Sequence, residues 1–277
     1  MSQEPSPATQ TATPATPNGA PDALGAADRA KFAASWRSVG FVEDGMKVGL
    51  GTGSTAAWMV KCLGLRVRRE GLKIVGVPTS SRTAALAREV GIEVTSLDQA
   101  GWLDLTIDGA DEFDPAFRLI KGGGGAHLRE KIVAAASDRM VVIADPDKDV
   151  ATLGAFPLPV EVIPFGMDAT RRLVERALAD LDVDQRRTVF RPAGEGLFVT
   201  DEGNHTLDLH LGRIGDPEAL SQALNAIPGV VENGLFMDIC DAVVIGREDG
   251  HVVTRHKQGA TEETHLDFAA ELALFDA

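Results

Sequence analysis

The sequence lacks the features that would point to export, to a membrane or to a cysteine-bound metal. Its two cysteines, Cys62 and Cys240, form no CxxC pair and no cysteine–histidine cluster with zinc-like spacing, which favours a reduced, cytoplasmic setting without a metal. No uninterrupted apolar stretch approaches about 18 residues. The amino terminus has no basic segment followed by an apolar core. We therefore expect neither secretion nor a membrane span.

Basic residues are scarce relative to acidic ones. The 277 residues include 27 Lys and Arg against 41 Asp and Glu, which gives a net charge of −14. Such a field repels phosphate polymers at long range, so we expect no binding to nucleic acid or to anionic membranes. A small anionic substrate would need a locally basic pocket. The length is that of roughly two domains of about 150 residues each.

The first half of the chain alternates glycine-punctuated strands and helices. Residues 1–25, rich in Pro, Ala, Thr and Ser near their start, are predicted to be a disordered extension. A helix that carries Lys31 follows from Ala26. A strand over 46–50 then opens into Gly51-Thr52-Gly53-Ser54-Thr55 before the next helix, an arrangement that binds phosphate at the helix amino terminus. The alternative is a tight turn in which Ser54 only caps the helix.

The same glycine loop fits the GxGxxA pattern of dinucleotide-binding folds, so a nicotinamide enzyme has to be considered. That pattern requires an acidic residue about 20 positions later, at the end of the second strand. Here the second strand, residues 72–77, ends in Pro78-Thr79-Ser80-Ser81. Because no carboxylate is available for a ribose hydroxyl, we expect no NAD and no other cofactor.

The order of elements predicts an α/β fold with a mostly parallel sheet and right-handed crossovers. The pattern changes at residue 156, where a smaller α+β domain is predicted over 156–236, with a hairpin of strands 196–200 and 206–211. Residues 26–155 and 237–277 would form the larger domain. An amphipathic helix is predicted over 261–275 at its end.

Residues 104–131 concentrate chemically useful groups. A strand over 103–107 ends in Asp108-Gly109-Ala110-Asp111-Glu112, and a second apolar segment leads through Lys121 into the glycine loop, residues 122–125. The next helix carries Glu130 on the side away from the core, facing solvent or a cleft. A further strand, residues 140–144, ends near Lys148. Because ligand clefts of open α/β sheets lie at strand ends, the pattern predicts a site there. His127 is interpreted as structural.

Seven segments resemble ribose-5-phosphate isomerases of the A type, enzymes of the pentose phosphate pathway. The resemblance covers roughly residues 26–257 and departs at Gly125, at His127 and in both terminal extensions. The matching motifs are GLGTGSTA at 49–56, DGADE at 108–112, IKGGG at 120–124, REKI at 129–132, ADPDK at 144–148, FPLPVEVIP at 156–164 and NAIPGVVENGLF at 225–236.

The resemblance implies a Rossmann-like domain with a smaller inserted domain of ferredoxin-like type, a cytoplasmic homodimer and a sugar-phosphate substrate. It also implies that Glu130 is the catalytic base for an enediolate mechanism, with Asp108, Lys121 and Asp111 as further catalytic residues. Asp108 is predicted to move hydroxyl protons during ring opening. The residues implied in substrate binding are Lys31, Thr52, Gly53, Ser54, Thr55, Asp108, Gly109, Ala110, Asp111, Lys121, Gly122, Gly123, Gly124 and Lys148.

Two other functions remain open on the sequence alone. Related folds serve as sugar-phosphate-sensing modules of transcription regulators, although residues 1–25 contain no basic helix-turn-helix pattern. An aminosugar-phosphate deaminase, or another sugar-transforming enzyme of the same fold, is the second alternative.

Overall fold

A computed structural model describes residues 24–276 of the chain. The predicted disorder of residues 1–25 therefore lies almost entirely outside the described residues. Within 24–276, no helix is both long enough and apolar enough to cross a membrane.

The described residues form helices and strands in an alternating order. The helices are α1 (Ala26–Ser38), α2 (Ser54–Glu70), α3 (Ser81–Glu89), α4 (Leu97–Ala100), α5 (His127–Ala135), α6 (Met167–Leu178), α7 (Pro217–Asn225) and α8 (Phe268–Asp276). The strands are β1 (Lys47–Leu50), β2 (Val75–Pro78), β3 (Glu93–Val94), β4 (Leu105–Gly109), β5 (Glu112–Phe113), β6 (Leu119–Ile120), β7 (Met140–Ala144), β8 (Leu158–Val162), β9 (Arg187–Phe190), β10 (Pro192–Ala193), β11 (Gly196–Leu197), β12 (His205–His210), β13 (Val230–Asn233), β14 (Leu235–Phe236), β15 (Ala242–Gly246), β16 (His251–His256) and β17 (Thr261–His265).

The larger sheet has the order β17-β16-β15-β7-β4-β1-β2-β3. Its strands are parallel from β3 to β15, and β16 and β17 add antiparallel strands at one edge. Both faces are buried, as the side chains of β7 illustrate: Val141 and Ile143 join the core beneath α1 and α2, while Val142 joins the opposite core with Phe236. This alternation follows from the two-residue period of a strand. The predicted mostly parallel α/β fold is confirmed.

The second sheet is antiparallel, with the order β13-β8-β12-β9. Helix α6 lies between β8 and β9 in the chain, and α7 between β12 and β13, which gives the βαββαβ connectivity of ferredoxin-like domains. Its own core joins strand residues such as Val160 and Leu207 to Val174 of α6 and Leu220 of α7. A small sheet, β14-β6-β5, pairs the segment that follows β13 with the segment between β4 and β7. The domain boundaries at residues 155–156 and 236–237 stay a prediction.

Two predicted elements are wrong. The helix over 261–275 begins only at Phe268, because residues 261–265 form the edge strand β17, whose Thr, Glu and His side chains offer no apolar face to a helix. Asp267 then caps α8 by accepting a hydrogen bond from the N–H of Ala269 at 3.0 Å. The strand over 196–200 is reduced to β11, which pairs with β10, and of the predicted hairpin only the bridge between Val199 and His205 remains, while β12 pairs with β8 and β9.

Helix α1 packs directly on the backbone of β15, so a side chain at Gly246 of this strand should destabilise the fold. A Cβ on Gly246 would lie 2.2 Å from the carbonyl oxygen of Ala30 and 2.4 Å from the amide nitrogen of Ala34. Gly246→Ala must therefore push α1 off the sheet, and we expect it to lower the free energy of unfolding by about 1–3 kcal/mol. Gly40→Ala is the control, since its Cβ would meet only the flexible end of Arg37 at 3.4 Å. Urea unfolding that gave both variants the same midpoint would contradict this packing.

Candidate active site

A cavity of about 280 Å³ lies at the carboxyl ends of β1, β4 and β7. All the sequence-predicted site residues line it except Asp108. These are Lys31, Thr52, Gly53, Ser54, Thr55, Gly109, Ala110, Asp111, Lys121, Gly122, Gly123, Gly124, Glu130 and Lys148. The lining also contains Ala27, Ala56 and Asp145, which were not predicted. Asp145 directly follows β7, so the rule that placed Lys148 at this edge could have found it.

One end of the cavity is suited to a phosphate. Helix α2 begins at Ser54 with Gly53 as its N-cap, and no side chain caps it. The interpretation of Ser54 as an N-cap is therefore wrong, and the first turn of α2 faces the cavity with its amide donors and positive dipole end. Lys31 of α1 and Lys148, which ends a 3₁₀-helix, bring two cations to the same cavity.

Thr52 is held in place by two residues that sequence reasoning missed. Its Oγ1 lies 2.7 Å from Oγ1 of Thr79 and 3.3 Å from Oγ1 of Thr83. Thr79 follows β2, and Thr83 is buried in the first turn of α3. Thr79 belongs to the segment, residues 78–81, that lacks the acidic residue of a dinucleotide site, and Thr83 lies two residues beyond it. Hydroxyl groups thus occupy the place where a nicotinamide enzyme would present a carboxylate.

The floor of the cavity is an ionic cluster centred on Lys121. The Nζ of Lys121 lies 2.9 Å from Oδ2 of Asp108 and 3.3 Å from Oε2 of Glu130, and it also donates a hydrogen bond to the carbonyl oxygen of Gly109. The three side chains are almost inaccessible, with 2%, 0% and 3% of Lys121, Asp108 and Glu130 exposed. Carboxylates this deeply buried persist only when they are paired.

Burial raises the pKa values of both carboxyl groups. Removal from water, followed by the charge of Asp108, raises the pKa of Glu130 to about 8. Burial also raises the pKa of Asp108, although Lys121 opposes the shift. For Lys121, burial acts against the ammonium, but Asp108 and Glu130 outweigh it and the pKa lies above its ordinary value. The lysine is therefore charged at neutral pH, and Glu130 titrates in a range suited to taking up and returning a proton.

The position of Asp108 differs from the prediction. Asp108 lies within β4, not beyond its end, because the strand continues to Gly109. Its Oδ1 accepts hydrogen bonds from the N–H groups of Thr52 at 3.1 Å and Gly109 at 2.7 Å, while Oδ2 faces Lys121. The side chain thus lies behind Lys121 and does not reach the cavity. Glu130, in contrast, points into the cleft, the second of its two predicted orientations.

Asp111 and the glycine loop form the wall beside this cluster. The Oδ2 of Asp111 accepts a hydrogen bond from the N–H of Gly123 at 2.7 Å, and the loop closes on itself through the N–H of Gly125 and the carbonyl oxygen of Gly122 at 2.9 Å. His127 packs against Gly122 without reaching the cavity. Its burial lowers its pKa to about 4, which leaves it neutral and supports its interpretation as structural.

Comparison with known proteins gives a consistent result. Residues 75–250 match the profile of the family ribose 5-phosphate isomerase A (phosphoriboisomerase A). A protein named ribose-5-phosphate isomerase A from a Ruegeria species is 64% identical over 249 residues, which is 90% of this chain and 95% of that protein. The protein of the same name from Cereibacter sphaeroides is 68% identical over 228 residues, which is 82% of this chain and 91% of that one.

Solved structures agree with the sequence relatives. The structure of ribose 5-phosphate isomerase A from Methanocaldococcus jannaschii has a TM-score of 0.73 and 38% identity, and it covers 85% of this chain and 98% of its own. A D-ribose-5-phosphate isomerase solved in complex with phospho-erythronic acid has a TM-score of 0.75 and 36% identity, with 88% of this chain and all of its own covered.

The raised pKa of Glu130 generates a prediction about stability. A carboxyl group whose folded pKa exceeds its unfolded value stabilises the fold below the unfolded value, and this contribution is lost as the pH rises through the folded one. Between pH 5 and pH 8, we therefore expect Glu130→Gln to become more stable relative to the unsubstituted chain by roughly 2–4 kcal/mol. Urea unfolding at the two pH values measures this difference.

Glu232→Gln is the matched control for this prediction. Although burial opposes the shift, Lys131 lowers the pKa of Glu232, so its ionised form stabilises the fold at pH 8. Both the folded and the unfolded pKa of Glu232 lie below pH 5, so the stability of the control relative to the unsubstituted chain should stay nearly constant between pH 5 and pH 8. A Glu130→Gln variant that behaved like the control would show that the surroundings of Glu130 do not raise its pKa.

Proposed function

The chain belongs to the ribose 5-phosphate isomerase A family, and on this premise we propose that it interconverts D-ribose 5-phosphate and D-ribulose 5-phosphate through a cis-enediolate. One observation carries the proposal: Glu130, with a pKa raised to about 8, lies 3.3 Å from the ammonium of Lys121 in a cavity that also contains the amino terminus of α2. A proton-transfer group, a cation for developing oxygen charge and a phosphate site thus share one cavity. That a relative binds phospho-erythronic acid supports the substrate class.

The substrate phosphate is proposed to bind at the first turn of α2. Ser54 and Thr55 supply hydroxyl and amide donors there, and Lys31 and Lys148 supply charge. Local cations are needed because the net charge of −14 repels a sugar phosphate elsewhere on the surface.

Glu130 is proposed to carry the proton between carbons. In the aldose, the carboxylate removes the proton from C2, and the electron pair forms the C1–C2 double bond while the C1 oxygen becomes negative. The C2 hydroxyl proton then passes to the C1 oxygen, the C2–O bond becomes the carbonyl, and the carboxyl group returns its proton to C1 to give the ketose. One group suffices because C1 and C2 are adjacent, and a pKa near 8 leaves the carboxyl able both to accept and to release a proton near neutral pH.

Lys121 and the glycine loop are proposed to stabilise the enediolate oxygens. The ammonium is fixed before the reaction by Asp108 and by the carbonyl of Gly109, so it needs no reorganisation when charge develops. Asp108 then acts through Lys121. We assign the proton transfers of ring opening to Asp111 rather than to Asp108, because Asp111 lines the cavity whereas Asp108 is wholly buried.

Assembly and location complete the proposal. We infer a cytoplasmic homodimer that acts on a small sugar phosphate and contacts neither nucleic acid nor membrane. The absence of paired cysteines supports the location, the acidic net charge supports the absence of nucleic-acid and membrane contacts, and the homodimer rests on the family resemblance alone.

Glu130→Gln tests the central assignment. The amide keeps the size of the side chain but cannot accept the C2 proton, so kcat should fall at least about 10²-fold with KM little changed. The measurement is a coupled assay with ribose 5-phosphate, run in parallel with an aminosugar phosphate. Glu175→Gln, whose carboxylate pairs with Arg171 on helix α6 away from the cavity, should keep its kcat. Full turnover by Glu130→Gln would show that Glu130 is not the base. If the unsubstituted chain turned over the aminosugar phosphate but not ribose 5-phosphate, the result would favour a deaminase.

Lys148→Ala tests the phosphate site. Loss of one cation should raise KM for ribose 5-phosphate several-fold and change kcat less, because the phosphate takes no part in the proton transfer. Lys257→Ala, which removes a lysine paired with exposed Asp238, should leave both constants unchanged. An unaltered KM for Lys148→Ala would exclude Lys148 from phosphate binding.

A further inference from the structure

The glycine loop has no side chains with which to hold its own shape. Apart from its internal hydrogen bond, it is held on one side by Asp111, which accepts the N–H of Gly123. A loop of four glycines has many accessible conformations, and fixing it costs more backbone entropy than fixing other residues. Its use as a set of pre-oriented donors therefore requires a second support.

Arg191 provides that support from the second sheet. Its Nη1 donates hydrogen bonds to the carbonyl oxygens of Gly122 at 2.9 Å and Gly123 at 3.1 Å. The rest of the guanidinium is fixed by Asp208, whose Oδ2 accepts from Nε at 3.0 Å and whose Oδ1 accepts from Nη2 at 2.6 Å. Only 16% of the Arg191 side chain is exposed. The guanidinium thus links a strand of the second sheet to two consecutive peptide groups of the loop.

These two hydrogen bonds set the direction in which the loop amides point. In a planar trans peptide, the carbonyl of one residue and the N–H of the next point in opposite directions. With the carbonyls of Gly122 and Gly123 turned to Arg191, the N–H groups of Gly123 and Gly124 must point away from it. The first of them meets Asp111, as this geometry requires. The second has no hydrogen-bond partner among residues 24–276, and Gly124 lines the cavity.

We propose that Arg191, held by Asp208, is a positioning residue that aims the N–H of Gly124 at the enediolate oxygen. The inference rests on the proposed isomerase function. Arg191 does not line the cavity, so it acts through the loop and not on the substrate. Its positive charge on the carbonyl side also polarises both peptide groups, which strengthens their N–H groups as donors. A lysine cannot replace it, because a single ammonium cannot hold a carboxylate in two places and reach two carbonyls.

The test compares Arg191→Ala and Arg191→Lys with the full-length unsubstituted chain. The variants should lose about 10–100-fold in kcat, less than the roughly 10²–10³-fold for removal of an oxyanion donor because the amide is misaligned and not removed, while KM for ribose 5-phosphate changes less than about threefold. With ribose 5-phosphate deuterated at C2, the isotope effect on kcat should rise, because proton transfer becomes more fully rate-limiting. Arg213→Ala is the control, since Arg213 pairs with Asp182 and Asp184 of the same region without touching the loop.

Each outcome decides the matter. A lower kcat with unchanged KM and a larger isotope effect, absent in Arg213→Ala, supports the proposal. A lower melting temperature with unchanged kcat per folded molecule, or a raised KM with unchanged kcat, overturns it. If Arg191→Ala fails to fold, Arg191→Lys decides, because it retains charge and bulk. If the unsubstituted chain does not turn over ribose 5-phosphate, the proposed function itself fails and the inference fails with it.

Discussion

The buried ammonium of Lys121 is the interaction on which the site depends. Two carboxylates and a carbonyl oxygen surround it, and without it Asp108 and Glu130 would be like charges in a region that excludes water. One cation cannot fully neutralise two anions, and the cluster therefore favours a proton on one of them. Burial, and next the charge of Asp108, raises the pKa of Glu130 to about 8. The same imbalance that costs folding free energy gives the carboxyl group a pKa near that of a useful base.

The cavity collects lysines in a chain that is acidic as a whole. An acidic protein repels a sugar phosphate at long range, yet Lys31, Lys121 and Lys148 all line one cavity. The cations are divided between two tasks by their environment. Lys31 and Lys148 are partly accessible and near the helix terminus, where they can attract the phosphate. Lys121 is inaccessible and already paired, so it is suited to charge that develops only during reaction.

The sequence was sufficient for the parallel sheet and most of the cavity, because these depend on local order. Strand ends, glycine loops and helix starts are adjacent in the chain, and parallel strands bring their carboxyl ends to one edge. It was insufficient where a side chain's role depends on distant residues. Asp108 seemed to follow its strand because polar residues usually end one, yet Lys121 allows it to lie inside. Arg191 carries no local signal, since its partners Gly122 and Gly123 lie 69 and 68 positions away in the chain.

Contacts from the second half of the chain position the segment that carries Lys121 and Glu130. The chain from Lys121 to Lys131 contains two members of the ionic cluster, Lys121 and Glu130, and the second half of the chain holds this segment at four points. The N–H of Lys121 donates to the carbonyl of Gly234 at 2.9 Å, and Arg191 holds the glycine loop. On α5, Arg129 pairs with Asp201, and Lys131 with Glu232. A Cβ on Gly234 would lie 2.3 Å from the carbonyl oxygen of Lys121, so the two backbones meet with no room for a side chain. The first sheet supplies Asp108 and the end of the cavity that is suited to a phosphate. The contacts with the second half of the chain fix how far Glu130 and Lys121 lie from both. The geometry of proton transfer therefore depends on the two sheets together.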